Sequence, residues 1–183
     1  MAKVKTWIVL KTGKTDRYWL KRIGQLIGKH AYWGKGVDLG CGWGEAVPIL
    51  RNHMQYLIGV DSNEAFLVEA QSQDYDELIL SDINYYIPPE NVDVVFLFDV
   101  IEHLTREDGG RLLDKLNGIP NVLITTPVLF YKEAGKGLEH LSYWTEQDFL
   151  QRGYYTTTFY AGTIFNFFGQ PILFAFKGAL NYG

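Results

Sequence analysis

One cysteine, Cys41, stands in 183 residues, so no disulfide can form within the chain, and the usage fits a reducing, cytoplasmic setting. No run of about 18 apolar residues occurs, which excludes a membrane-spanning helix. The apolar tract between Met1 and Leu10 is too short for a signal-peptide core with its cleavage site. Repeats, low-complexity linkers and shifts of composition are lacking as well, so the length reads as one domain with a single buried core. Positive charge is in deficit: 17 Lys and Arg against 21 Asp and Glu leave a formal charge of −4. That argues against a large non-specific nucleic-acid surface while leaving room for a local basic patch. Aromatic residues are plentiful instead, at 15%, and they crowd the two ends.

Residues 15–29 predict the first helix, capped by Thr15 or Asp16. Trp19, Leu20, Ile23, Leu26 and Ile27 fall on one face, with Lys21, Arg22 and Lys29 on a solvated one. A strand then runs from Gly34-Lys35-Gly36 into a glycine turn. A short helix follows over Glu45 to Asn52, with Pro48 in its first turn. Tyr56 to Val60 is the second strand, Ser62 caps a helix through Gln71, and Leu78-Ile79-Leu80 is the third strand. Val92 to Phe98 is nearly all apolar, as a strand buried on both faces should be. Thr105 caps a helix through Leu116, and Asn121 to Thr125 is the fifth strand. Beyond a loop from Pro127 to Tyr143, a Thr145/Asp148 capping pair starts a helix that Gly153 stops. Tyr154 to Tyr160 and Ile172 to Phe176 then read as a hairpin around a turn at Gly169-Gln170-Pro171. The expected fold is α/β: a doubly wound, mostly parallel seven-stranded sheet with a C-terminal antiparallel hairpin and helices on both faces.

Polar residues collect at the strand ends. Val37-Asp38-Leu39-Gly40-Cys41-Gly42-Trp43-Gly44 closes the first strand, its glycines letting backbone approach a ligand closely. Gly59-Val60-Asp61 closes the second in a carboxylate able to accept from two ribose hydroxyls. Asp82 and Asp99 follow the third and fourth. Ligands of such sheets bind beyond these ends, so the pattern reads as a nucleotide-type cofactor site. A dinucleotide fingerprint would place its third glycine where Glu45 stands, and a glutamate opposes a pyrophosphate there. Carboxylates suit a ligand bearing a sulfonium and an ammonium. Cys41 sits inside the turn for its small size.

On these residues the chain resembles the class I S-adenosylmethionine-dependent methyltransferases over roughly residues 35 to 177. The resemblance implies that Gly40 and Gly42 line the methionine part of the cofactor and that Asp61 holds the ribose. It implies that Asp82 takes the adenine amino group, Ile83 packs on the ring, and Asp99 lies near the methionyl end. Asp38, Cys41, Ser62 and Val100 complete the expected cofactor contacts. The domain then divides into an N-terminal helical cap (1–34), a cofactor-binding half (35–126), and an acceptor loop with the hairpin (127–183).

Methyl transfer from a sulfonium is an in-line displacement that proximity and alignment accelerate, and a hydroxyl acceptor gains from a base. His103, Glu102 and His140 are the candidate catalytic residues. Asp99-Val100-Ile101-Glu102-His103 with His140-Leu141-Ser142-Tyr143-Trp144-Thr145 also resembles the metal-dependent methyltransferases of the 2′-hydroxyl at the 3′ end of small RNAs. That resemblance would make Asp99, Glu102, His103 and His140 metal ligands. The chain departs from it at Asp99, where that family has glutamate, and lacks its flanking histidines and basic segments. Glu-His after the fourth strand is also widespread in metal-free small-molecule members, so no metal is expected. The expected acceptor is a small molecule, with nucleic acid open but not favoured, and the chain is expected to act as a monomer or homodimer. A module that binds S-adenosylmethionine without turnover is a third reading. Tyr18, Trp19, Tyr131, Tyr143 and Trp144 are candidate walls for the acceptor, although Tyr143 and Trp144 fit better as loop anchors.

Overall fold

The computed structural model describes residues 17–28, 31–128, 139–161 and 170–178. In chain order its elements are α1 (Arg17–Ile27), β1 (Trp33–Leu39), α2 (Val47–Leu50), β2 (Met54–Asp61), α3 (Glu64–Ala70), β3 (Glu77–Leu80), β4 (Val94–Phe98), α4 (Arg106–Lys115), β5 (Asn121–Pro127), α5 (Glu146–Leu150), β6 (Tyr155–Ala161) and β7 (Gln170–Lys177). The strands form one seven-stranded sheet in the order β3-β2-β1-β4-β5-β7-β6. β1 to β5 pair in parallel, and β7 runs antiparallel between β5 and β6. The expected sheet, hairpin included, is the observed one.

The all-apolar β4 is buried along its whole length because its two faces serve two cores. On one side Val94 and Phe96 meet Leu20, Ile23 and Ile27 of α1 with Val47 and Leu50 of α2. On the other, Val95 and Leu97 meet Leu112 and Leu113 of α4 and Phe149 of α5. Each such side chain, fully buried, stabilises the fold by about 1.5–3 kcal/mol. Lys21 and Arg22 are exposed, as the solvated face of α1 requires. No helix among the described residues is long and apolar enough to cross a membrane.

Three local expectations are corrected. Ser62 does not cap α3: Asn63 does, its side chain accepting from the Ala65 N–H at 3.0 Å. The helix expected over Glu45 to Asn52 holds α-geometry only across Val47–Leu50 and ends in a 3-10 turn at Arg51–His53. Gln170 and Pro171 belong to β7 rather than to a turn; Pro171 fits because it pairs near the strand's start. Thr105 caps α4 as expected, and Thr145 and Asp148 form a full capping box. Thr15, Asp16, Lys29, Tyr131, Gly169, most of the loop after β5 and the Tyr18 side chain lie outside what is described.

Candidate active site

The strand order reverses between β1 and β4, and a crevice opens beyond their carboxyl ends. It is a cavity of about 500 Å³ whose walls include Asp38, Gly40, Cys41, Gly42, Asp61, Ser62, Asp82, Ile83, Asp99, Val100 and His103. Every expected cofactor residue therefore borders one space. Glu45, the residue at odds with a pyrophosphate, borders it too. Glu102 and His140 lie off its walls.

The turn after β1 is tied to the end of β2. The N–H groups of Gly40 and Cys41 both donate to the Val60 carbonyl, at 2.8 and 3.0 Å. Asp61 fastens the next residue: its Oδ2 accepts from the Gly42 N–H at 2.9 Å and its Oδ1 from the Asn63 N–H at 2.8 Å. Each carboxylate oxygen keeps a second lone pair for a ligand hydroxyl. The glycines differ in purpose. Gly42 has φ +53° and nothing within 4 Å of where a Cβ would sit. Gly44 has φ +84°, and its Cβ position is crowded by Gln73 and by the Tyr75 ring. Only Gly42 leaves its bare face to the cavity.

Asp99 carries a positive φ of 55°, the one non-glycine residue to do so among those described. Such strain persists only where the surroundings fix it. Here Thr125 does so: its hydroxyl donates to Asp99 Oδ1 at 3.0 Å and accepts from the Asp99 N–H at 3.1 Å. Burial pushes the Asp99 carboxyl up to about 6, with the Thr125 bond acting against that rise. Thr126, next along β5, donates to Glu102 Oε2 at 3.1 Å. Glu102 is 2% exposed, and burial, then the nearby Asp99, hold its carboxyl well above the usual range. Its Oε1 is buried with no hydrogen-bond partner among the described residues.

The N–H groups of Leu141 and Ser142 donate to the Glu102 carbonyl at 2.8 and 3.1 Å. This stitching brings His140 beside His103, with ring centroids 5.1 Å apart. His103 Nδ1 lies 3.3 Å from the Glu139 carbonyl, so Nδ1 carries the proton and Nε2 the lone pair. Burial lowers the His103 pKa, which favours the neutral ring. One ligand atom each from Glu102, His103 and His140 lie within 4.8 Å of one another.

Trp144 does not wall the cavity. It is 1% exposed, its Nε1 donates to Ser142 Oγ at 2.8 Å, and the Arg106 guanidinium lies 4.0 Å from its ring centroid. It anchors the segment after the loop, while Tyr143 is exposed. Trp19 does border the cavity, edge-on to Phe98 at 6.2 Å. So do Trp43 and Phe66, whose rings meet at 5.3 Å.

Residues 37–119 match the family model described as a methyltransferase domain. Over those residues the chain is similar to methyltransferase domains, and its sheet has the Rossmann-like methyltransferase strand order. Among solved structures, this domain is similar to the N-methyltransferase NodS from Bradyrhizobium japonicum WM9 in complex with S-adenosyl-l-homocysteine. There the TM-score is 0.70 at 13% identity, covering 92% of this chain and 89% of that one. It is similar to magnesium protoporphyrin IX methyltransferase from Synechocystis PCC 6803 with bound SAM, at TM-score 0.64 and 16% identity, covering 90% and 80%. The methyltransferase domain of bacterial CtHen1 gives TM-score 0.64 at 21% identity, covering 90% and 100%. Identities this low speak for the shared Rossmann-like methyltransferase fold. No curated protein sequence matches the chain.

Sequence reasoning missed several residues around the cavity, Trp43 and Phe66 among them. Asn63 and Asn84 border it beside the expected Ser62 and Ile83, and their place just after two strand-end aspartates was the available signal. Tyr75 supports the site from behind, and no local pattern marks it.

Proposed function

We propose that this domain methylates an oxygen or nitrogen of a small-molecule acceptor, with Asp61 on the cofactor's ribose, Asp82 and Ile83 at its adenine, and Asp38 and Asp99 toward its cationic end. The observation that carries the reading is His103, which borders the same cavity as these carboxylates, with burial favouring its neutral ring and Nδ1 held on the Glu139 carbonyl. In the reaction the acceptor's lone pair forms a bond to the methyl carbon while the carbon–sulfur bond breaks. The sulfur keeps that electron pair and becomes a neutral thioether. The acceptor's proton passes to His103 Nε2. Glu102, buried and biased toward its protonated form, supports the segment rather than taking that proton.

A second reading is favoured by one observation, the convergence of Glu102, His103 and His140. The set fits a divalent ion: Glu102 Oε1 lacks a partner, and His103 Nδ1 on a backbone carbonyl orients Nε2 as metal-binding histidines are oriented. Two imidazoles and one carboxylate would hold the ion, which would supply Lewis-acid activation of a hydroxyl. That reading belongs with a 2′-hydroxyl acceptor at an RNA 3′ end.

A labelled-methyl assay across small amines, small hydroxyl compounds and short RNAs, each with EDTA or added Mn²⁺, separates the two. The first reading expects transfer to a small acceptor, indifferent to EDTA. Transfer confined to RNA, abolished by EDTA and restored by Mn²⁺, would replace it with the second.

A further inference from the structure

Tyr75 lies in the short connection between α3 and β3, and nothing in its neighbourhood of the sequence marks it for a role. Its hydroxyl donates to Asp38 Oδ2 at 2.6 Å, and Asp38 is almost fully buried near the carboxyl end of β1. The ring edge that bears the hydroxyl is seated between two bare backbone positions. A Cβ on Gly59 would come 2.9 Å from one edge carbon of Tyr75, and a Cβ on Gly44 would come 3.1 Å from the other. Gly59 is also the β2 partner of Asp38. Gly44, which the sequence places among the ligand-approach glycines of the turn, thus serves this tyrosine, as does Gly59.

The backbone carrying Tyr75 is pinned on both sides. Arg51 pairs with Asp74 at 3.4 Å and with Asp76 at 2.5 Å. Asp76 is joined to β2 twice, its Oδ2 accepting from the Leu57 N–H at 2.7 Å and its N–H donating to the Leu57 carbonyl at 3.0 Å. A hydroxyl held this firmly from a loop is placed rather than incidental.

We infer that Tyr75 is a positioning residue for cofactor binding, its hydroxyl fixing the Asp38 carboxylate toward the cavity. The inference rests on the reading that Asp38 faces the cationic cofactor. Three titratable groups face Asp38: Tyr75 from the α3–β3 connection, Asp61 from the end of β2 and Cys41 from the glycine turn. Burial pushes the Asp38 carboxyl up to about 6, the Tyr75 bond pulls it down, and Asp61 adds to the rise. The Tyr75 phenol and the Cys41 thiol are both driven upward, chiefly by burial, so each stays neutral while Asp38 changes charge. Without the hydroxyl, Asp38 would take up its proton at higher pH and turn to the cofactor as a neutral acid.

Tyr75→Phe keeps the ring in its seat and removes only the donor. Calorimetric titration of S-adenosylmethionine into the full chain between pH 5.5 and 8.5 is expected to show a several-fold loss of affinity near pH 6.5. The loss should shrink as pH rises, the midpoint of the pH dependence moving up by about one unit. Weakening that is equal at every pH, or a wild-type profile, overturns the inference. Asp38→Asn is the control for the underlying reading and should bind weakly with the pH dependence flattened. If Asp38→Asn binds as wild type, that reading fails; if it binds weakly while Tyr75→Phe matches wild type, the positioning role fails. Arg51→Gln, which touches neither Asp38 nor the cavity, should give the same upward shift more weakly and carries the test should Tyr75→Phe not fold.

Discussion

Thr125 and Asp99 exchange hydrogen bonds in both directions, hydroxyl to carboxylate at 3.0 Å and amide to hydroxyl at 3.1 Å. The pair explains how an aspartate keeps a left-handed backbone at the rim of the cavity. The adjacent Thr126, on the same strand, donates a single hydrogen bond to Glu102 Oε2 at 3.1 Å. Two neighbouring threonines at the end of β5 therefore hold Asp99, just before the 3-10 turn at Ile101–His103, and Glu102, within it.

Thr125→Val preserves shape and removes both bonds. A buried acceptor left unpaired costs about 1–3 kcal/mol, so urea unfolding at pH 7 should show a loss in that range. The variant should also bind the cofactor more weakly as pH falls, because Asp99 then protonates more readily. Stability equal to wild type would mean that solvent replaces the hydroxyl.

Gly42 and Gly44 should separate on substitution. Gly42→Ala meets no atom, so only the left-handed backbone penalty of about 1–2 kcal/mol applies, yet its methyl group enters the cavity. We expect a folded variant with cofactor affinity down at least tenfold. Gly44→Ala adds a collision with Gln73 and Tyr75 to the same penalty and should lower the thermal midpoint further. Calorimetry and thermal melts on the two variants read the contrast directly.

His103→Ala should slow turnover and leave cofactor affinity within about twofold, since the ring faces the acceptor side in the proposed mechanism. The sign of its pH dependence follows from burial. A base whose pKa is lowered from 6.5 is already neutral at pH 7, so the rate should rise with pH and level off below that value. A rate still climbing above pH 7.5 would point to another base. Wild-type turnover in His103→Ala would leave His103 a packing residue.

The strand ends were legible because glycine turns and terminal carboxylates are local signals, and the all-apolar β4 declares burial on both faces. Helix starts were legible only to within a residue. Ser62 and Asn63 are both good caps, and Asn63 is selected because Asp61 takes its N–H. The meeting of His103 with His140 and the Tyr75–Asp38 bond, 37 positions apart, depend on how loops fold back onto the sheet. No periodicity encodes them. The three glycines of the turn read as equivalent in sequence and prove unlike in space, because a Cβ on Gly40 or Gly44 would strike distant residues and one on Gly42 would strike nothing.

The central claim, that the cavity beyond β1, β2 and β4 is the S-adenosylmethionine site, is tested most directly by calorimetric titration of the cofactor into wild type and Asp61→Ala. The account predicts saturable one-to-one binding by the wild type, weakened in folded Asp61→Ala by at least about 1 kcal/mol, the low end for a lost charge-assisted hydrogen bond. Unchanged affinity in folded Asp61→Ala, or no binding by the wild type at millimolar cofactor, would contradict it.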